Sequence, residues 1–196
     1  MSFWKQWKDL TQHTEGVIIA LGREREIWNG LKLDDPSNVV LTDRSRGRNY
    51  QTSLGEHLDA INDRSLLYGS ILIHSYALCE ATACDVLGID SRDAGGVESW
   101  AGSLLTANGR SWENLDHFVD SRGHVEKFGG KAFLVEAAVA RNCCAHKSMI
   151  LDQRAVTRLN DSGNTAYSVG DEIGLDYDRL YEYRNILRTV MRVANI

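Results

Sequence analysis

After Pro36 the chain runs to its last residue, Ile196, without another proline. Proline lacks a backbone donor and clashes with the preceding turn, so helix interiors expel it. So long a stretch without it leaves the chain free to build long helices. The clearest begins at Ser53 and Glu56, a Ser-x-x-Glu capping box. Leu54, Leu58, Ile61, Leu66, Ile71, Leu72, Leu78, Cys79, Val86 and Leu87 then recur with near-helical spacing up to Gly88. Unless Gly69 bends it, the pattern predicts one helix of about 35 residues, ~50 Å long, a length usual for the spine of a bundle.

The other elements are placed around that spine. Trp4, Trp7, Leu10, Val17, Ile18, Leu21 and Ile27 suit one long helix or two short ones over 3–29. The stretch that follows, "NGLKLDDPSNVVLTDRSRGRNY", is dense in Gly, Pro, Asn and Asp and reads as loop. A shorter helix is expected over 97–107, ended by Asn-Gly at 108–109, with only short helices or loops over 110–130. An alanine-rich helix is expected from Lys131, and a last amphipathic helix from Asp176. Between them "TAYSVGDEIGL" alternates and contains Gly-Asp, the pattern of a small hairpin or paired extended segments. The expected class is all-α: a bundle of four to six helices with a small extended turn or hairpin before the last. No repeat or linker divides the chain, and its 196 residues suit one domain.

Hydrophobic residues are 43% and charged residues 25%, the balance of a globular rather than a disordered chain. The longest early apolar run, "VIIAL" at 17–21, is too short to cross a bilayer, and the start lacks the apolar core of a signal peptide. No membrane association and a cytoplasmic location are therefore expected. The four cysteines, at 79, 84, 143 and 144, lie in apolar segments without Cys-x-x-Cys spacing and read as core residues. A net charge of -5 provides no global attraction for nucleic acid, so such contact requires a local basic surface. Two arginine clusters are candidates: Arg44, Arg46 and Arg48, and the i, i+4, i+8 series Arg184, Arg188 and Arg192. As charge alone, the second reads as a solvated stripe. The tryptophans read as core and interface anchors, and His74 as a core or boundary residue. His117 and His124 read as loop residues, and Ser121 has no nucleophile elbow around it.

The chemistry concentrates in "EAAVARNCCAHKSMI", 136–150, where Arg141, Asn142 and His146 interrupt an apolar helix. At ~100° per residue, Asn142 and His146 share one stripe, so the amide is placed to orient the imidazole, while Arg141 projects to the side. Together these types suit phosphoryl transfer in RNA. A histidine can take the proton of the 2′-hydroxyl, and an arginine can stabilise charge growing on the phosphate. Taken alone they read first as the polar rim of a buried helix. No Asp-x-Asp or His-x-His pair accompanies this motif to suggest a metal site, and no cofactor is implied.

"ARNCCAH" resembles the signature of the HEPN superfamily (higher eukaryotes and prokaryotes nucleotide-binding): an arginine, a polar residue, and a histidine four to six residues after the arginine. "HSYALCEATACDVLG" is similar to the family's second region, an acidic residue within an alanine-rich helix, with Glu80 in that place. The closing "VGDEIGLDYDRLYEYRNILRTVMRVANI" is similar to the turn and last helix of many bacterial members. The likeness covers roughly 53–196, with 1–50 as an N-terminal helical extension and loop. It implies a homodimer whose motifs face a shared cleft. It further implies metal-independent endoribonuclease activity of the kind found in toxins and antiphage or abortive-infection effectors, with an antitoxin or a nucleotidyltransferase as possible partner. By the same resemblance Arg141 stabilises the scissile phosphate, His146 is general acid or base, Asn142 orients the histidine or the phosphate, and Glu80 supports Arg141. RNA binding would then draw on Lys147, Arg154 and Arg158 at the cleft mouth, sharing a face if the helix continues past 150. The alternative implied is a catalytically inactive scaffold that binds a nucleotide or a protein.

Overall fold

A computed structural model describes residues 2–31, 33, 35–44, 50–116, 130–146 and 149–196. Arg46, Arg48, His117, Ser121, His124 and Lys147 lie outside these residues. Among the described residues there are eight α-helices: α1 (Phe3–Gly30), α2 (Leu54–Asn62), α3 (Ser65–Leu87), α4 (Val97–Ala107), α5 (Trp112–Asp116), α6 (Gly130–His146), α7 (Gln153–Asp161) and α8 (Tyr177–Val193). Two strands, β1 (Val40–Asp43) and β2 (Tyr50–Ser53), form an antiparallel hairpin with Val40 opposite Ser53 and Asp43 opposite Tyr50. No helix among the described residues is long and apolar enough to cross a membrane.

This corrects the expected bundle of four to six helices with a late hairpin. The spine predicted from Ser53 to Gly88 is two helices. Ser53 caps α2 with the expected box, its Oγ accepting from the Glu56 amide at 3.1 Å while Glu56 accepts from the Ser53 amide at 3.0 Å. The chain then breaks at Asp63, whose carboxylate accepts from both the amide and the hydroxyl of Ser65 at 3.0 and 2.6 Å. A local side-chain acceptor competes with helix continuation, and here it restarts the helix as α3. The hairpin lies early, in the stretch read as loop. Val40, Leu41 and Thr42 face Ser53, Thr52 and Gln51, residues that suit a pleated surface better than the turn-rich composition around them suggests. The segment at 164–175 turns at 168–171, where Asp171 donates to the Ser168 carbonyl at 3.2 Å, but its two arms form no strand pair with each other. It runs beside 149–151, with Leu151 donating to Asp171, Gly170 to Leu151 and Ile173 to Met149, each at 2.9 Å, and a single isolated bridge pairs Ile150 with Glu172.

The chain divides into two compact units. Lys8–Ser65 holds most of α1, the hairpin and α2; Leu54 and Ile61 are buried, and His57 of α2 reaches Glu24 of α1 at 3.4 Å. The other unit joins Met1–Trp7 to Leu66–Ile196 around a core that includes Leu72, Trp100, Leu104, Leu134, Leu159, Leu180 and Leu187. In it the arginine series is not a solvated stripe: Arg184 stacks on Trp7 at 4.9 Å and Arg192 on Trp4 at 5.8 Å, tying the first turn of α1 to α8.

Glu136 is fully buried in the middle of α6. It accepts hydrogen bonds from the hydroxyls of Tyr183 at 2.7 Å and Tyr167 at 3.1 Å, from the Asn164 amide at 2.6 Å, and from the Arg179 guanidinium. One carboxylate thus fastens 164–175 and α8 to the helix that carries the motif. Burial and the neighbouring Glu136 charge push the Tyr183 phenol well above its ordinary value, so it stays protonated and donating.

Gly69 of α3 packs against Cys144 of α6. A Cβ there would lie 3.1 Å from Cys144 Cβ and 3.3 Å from its Sγ. Gly69→Val is expected to cost ~1–3 kcal/mol by overpacking. Gly16→Ala, in an exposed part of α1 with nothing within 4 Å of the added carbon, is expected to gain ~0.5–1 kcal/mol. Urea denaturation of the two variants checks both signs.

Candidate functional site

The motif occupies the last turns of α6. Apolar burial ends there: Ala140 and Cys143 are buried, Arg141 is half-buried, and Asn142 and His146 are exposed. The helix is described to His146, and residues 149–151 are not helical, so a continuation past 150, the condition for those residues to share one helical face, is not met. After a turn at Met149, which takes a positive φ of 73°, Asp152 caps α7 by accepting from the Ala155 amide at 2.8 Å. The turn brings α7 back beside the motif.

A cavity of about 520 Å³ forms between them, lined by Asn142, His146, Arg154, Arg158, Glu98 and Asp152 among others. Its volume is in the range of sites that take one small molecule or one nucleotide. Two of the three predicted basic binding residues, Arg154 and Arg158, therefore share a wall with the histidine, because α7 folds back rather than because α6 extends. His146 makes no hydrogen bond among the described residues, leaving its ring nitrogens available to a ligand.

Arg141 and Glu80 lie outside the cavity lining. The Arg141 guanidinium rests on the Tyr76 ring at 5.0 Å, and its Nη1 donates to Asn142 Oδ1 at 2.8 Å. Asn142 thus engages the arginine rather than the histidine, and through it Arg141 is linked to the cavity wall. The Arg141 Nε is buried without a partner among the described residues. Glu80, one helical turn beyond Tyr76 on α3, is half-buried; burial raises its carboxyl above the ordinary value, and the Arg141 charge pulls it back. The two interact through the field, without an ion pair.

Tyr76 was not a candidate by sequence, although its position four residues before Glu80 is the one signal for it. Burial pushes its phenol up to about 12, and its oxygen accepts from Trp100 Nε1 at 3.2 Å. Glu98 gives no local signal at all. It pairs with Arg158, 60 residues away, through two hydrogen bonds: Nε to Oε1 at 2.9 Å and Nη2 to Oε2 at 2.5 Å. Burial opposes the Glu98 charge, yet the Arg158 hydrogen bonds and charge outweigh it and hold the carboxyl below its ordinary value.

His74, expected in the core or at its boundary, is exposed and bonds the Ser70 carbonyl at 2.7 Å. None of the four cysteines forms a disulfide. Burial raises the Cys144 thiol to about 11, which removes it as a nucleophile near neutral pH. Among the described residues no group of three or more His, Cys, Asp or Glu is placed to hold a metal ion. Compared with known proteins, the chain matches no protein-family model, no curated protein and no solved structure.

Proposed function

We propose that this chain is a metal-independent endoribonuclease of the kind implied by the HEPN motif, working as a homodimer and serving as a toxin or antiphage effector in the cytoplasm. The observation that carries the reading is the shared cavity of His146, Asn142, Arg154 and Arg158, with Arg141 bonded to Asn142 behind it. An imidazole, two guanidinium groups and an amide around one nucleotide-sized space are what cleavage by the 2′-hydroxyl needs. A base takes the 2′ proton, the 2′-oxygen bonds to phosphorus, the bond to the 5′-oxygen breaks, and an acid protonates the leaving oxygen. One His146 cannot be base and acid in the same step, so the second copy supplies the other role.

A second reading, a silent nucleotide-binding module, is favoured by one observation: Arg141 is not among the residues lining the cavity. The two readings differ in their products. Purified protein with single-stranded RNA in excess EDTA is expected to yield fragments ending in 2′,3′-cyclic phosphate and beginning with 5′-hydroxyl. Binding without such fragments would replace the nuclease reading with the module.

A further inference from the structure

Arg158 is the cavity's best-held cation, and what holds it is an anion of the protein. Glu98 comes from the first turn of α4 and Arg158 from the last turn of α7, so the pair joins two helices across the cavity wall. It is bidentate and only about a third exposed on either side, 28% for the arginine and 34% for the glutamate. The backbone makes room for it. A Cβ on Gly96, which also lines the cavity, would lie 2.9 Å from Glu98 Oε2 and 3.2 Å from Arg158 Nη2.

A carboxylate and a phosphodiester offer a guanidinium the same thing, two oxygens spaced for its two parallel N–H groups. We propose that Glu98 occupies the phosphate position of the cavity in the empty protein, and that a phosphate of single-stranded RNA takes Arg158 by displacing it. This rests on the RNA-cleaving reading for its ligand, but it concerns binding rather than cleavage. Glu98 keeps Arg158 aimed, and a phosphate gains the guanidinium only by taking the place of the carboxylate. The device sets affinity and selects against weak anions.

The test uses full-length protein and a short fluorescent single-stranded 2′-O-methyl RNA, which lacks the free 2′-hydroxyl and is bound without being cut. Relative to wild type, Glu98→Gln is expected to bind about five-fold tighter, since it removes a competing half-buried carboxylate. Arg158→Ala should bind about ten-fold more weakly. The double variant should match Arg158→Ala, because without the arginine the glutamate has nothing to withhold. Tightening by Glu98→Gln that persists in the Arg158→Ala background would overturn the proposal in favour of a general field effect. Unchanged or weaker binding by Glu98→Gln would make the pair a clasp between α4 and α7 only.

Should Glu98→Gln fail to fold, nitrogen-15 NMR of the arginine side chains in wild-type protein decides. The Arg158 Nε–H resonance moves on saturation with the RNA if Glu98 is displaced, and a resonance that stays in place overturns the idea. Cleavage of unmodified RNA is scored separately. Exchange at Arg158 without cleavage removes the nuclease reading and keeps this one, cleavage without exchange does the reverse, and absence of RNA binding removes both.

Discussion

His146→Ala is expected to lower RNA cleavage by about 10²–10⁴-fold, the usual contribution of a positioned acid or base, while leaving the unfolding transition within about 0.5 kcal/mol of wild type. Both halves follow from where the residue stands. It is the last residue of α6, exposed on the cavity rim, and bonded to none of the described residues, so removing the ring opens no core gap and strands no partner. Arg141→Ala is a poorer probe, because truncating it also strips the Tyr76 stack and frees Asn142. The control is His74→Ala, an exposed imidazole on α3 outside the cavity lining, which should cleave as wild type does. Full cleavage by His146→Ala, measured on gels with end-labelled RNA, would end the acid–base mechanism.

The largest stability effect is expected at Glu136. Glu136→Ala should cost ~3–5 kcal/mol, read from the shift of the urea transition, because it removes the fully buried one of the two carboxylates that hold the Arg179 guanidinium, Glu182 being the other. The loss reaches further than Arg179. The hydroxyls of Tyr167 and Tyr183 and the amide of Asn164 all donate to this one carboxylate, so truncation orphans donors from both the 164–175 segment and α8 at once. Glu136→Gln keeps the volume but turns an amide N–H₂ toward donors, and its cost should fall between wild type and alanine. A loss below about 1 kcal/mol for Glu136→Ala would show that the segment 164–175 is held by its backbone pairing with 149–151 instead.

What could be read from the sequence was local. The box at Ser53 and Glu56, the helix over 97–107 and the amphipathic last helix each depend on residues a few positions apart, and each forms close to where it was placed. Asp63 is the instructive exception. Its interruption of the long helix is local too, but apolar periodicity continues through it and hides the break. The hairpin was hidden by composition, since Gly, Asp and Asn surround strands of only four residues. The cavity was half legible. Arg141, Asn142 and His146 are contiguous enough to notice, but Glu98 meets Arg158 across 60 residues, and no period or spacing marks a contact that the tertiary fold alone creates. Asn142 bonding Arg141 rather than His146 is likewise a choice between two neighbours that helical geometry alone leaves open.

The buried carboxylate also changes how a relative of this chain would be recognised. A short arginine–histidine signature recurs by chance, whereas Glu136 is tied to Asn164, Tyr167, Arg179 and Tyr183, at separations of 28, 31, 43 and 47 residues. Exchanging Glu136 alone strands all four donors, so its replacement calls for compensating changes at each of them. That spaced quintet is the more discriminating fingerprint of this architecture, and it belongs to the scaffold rather than to the chemistry.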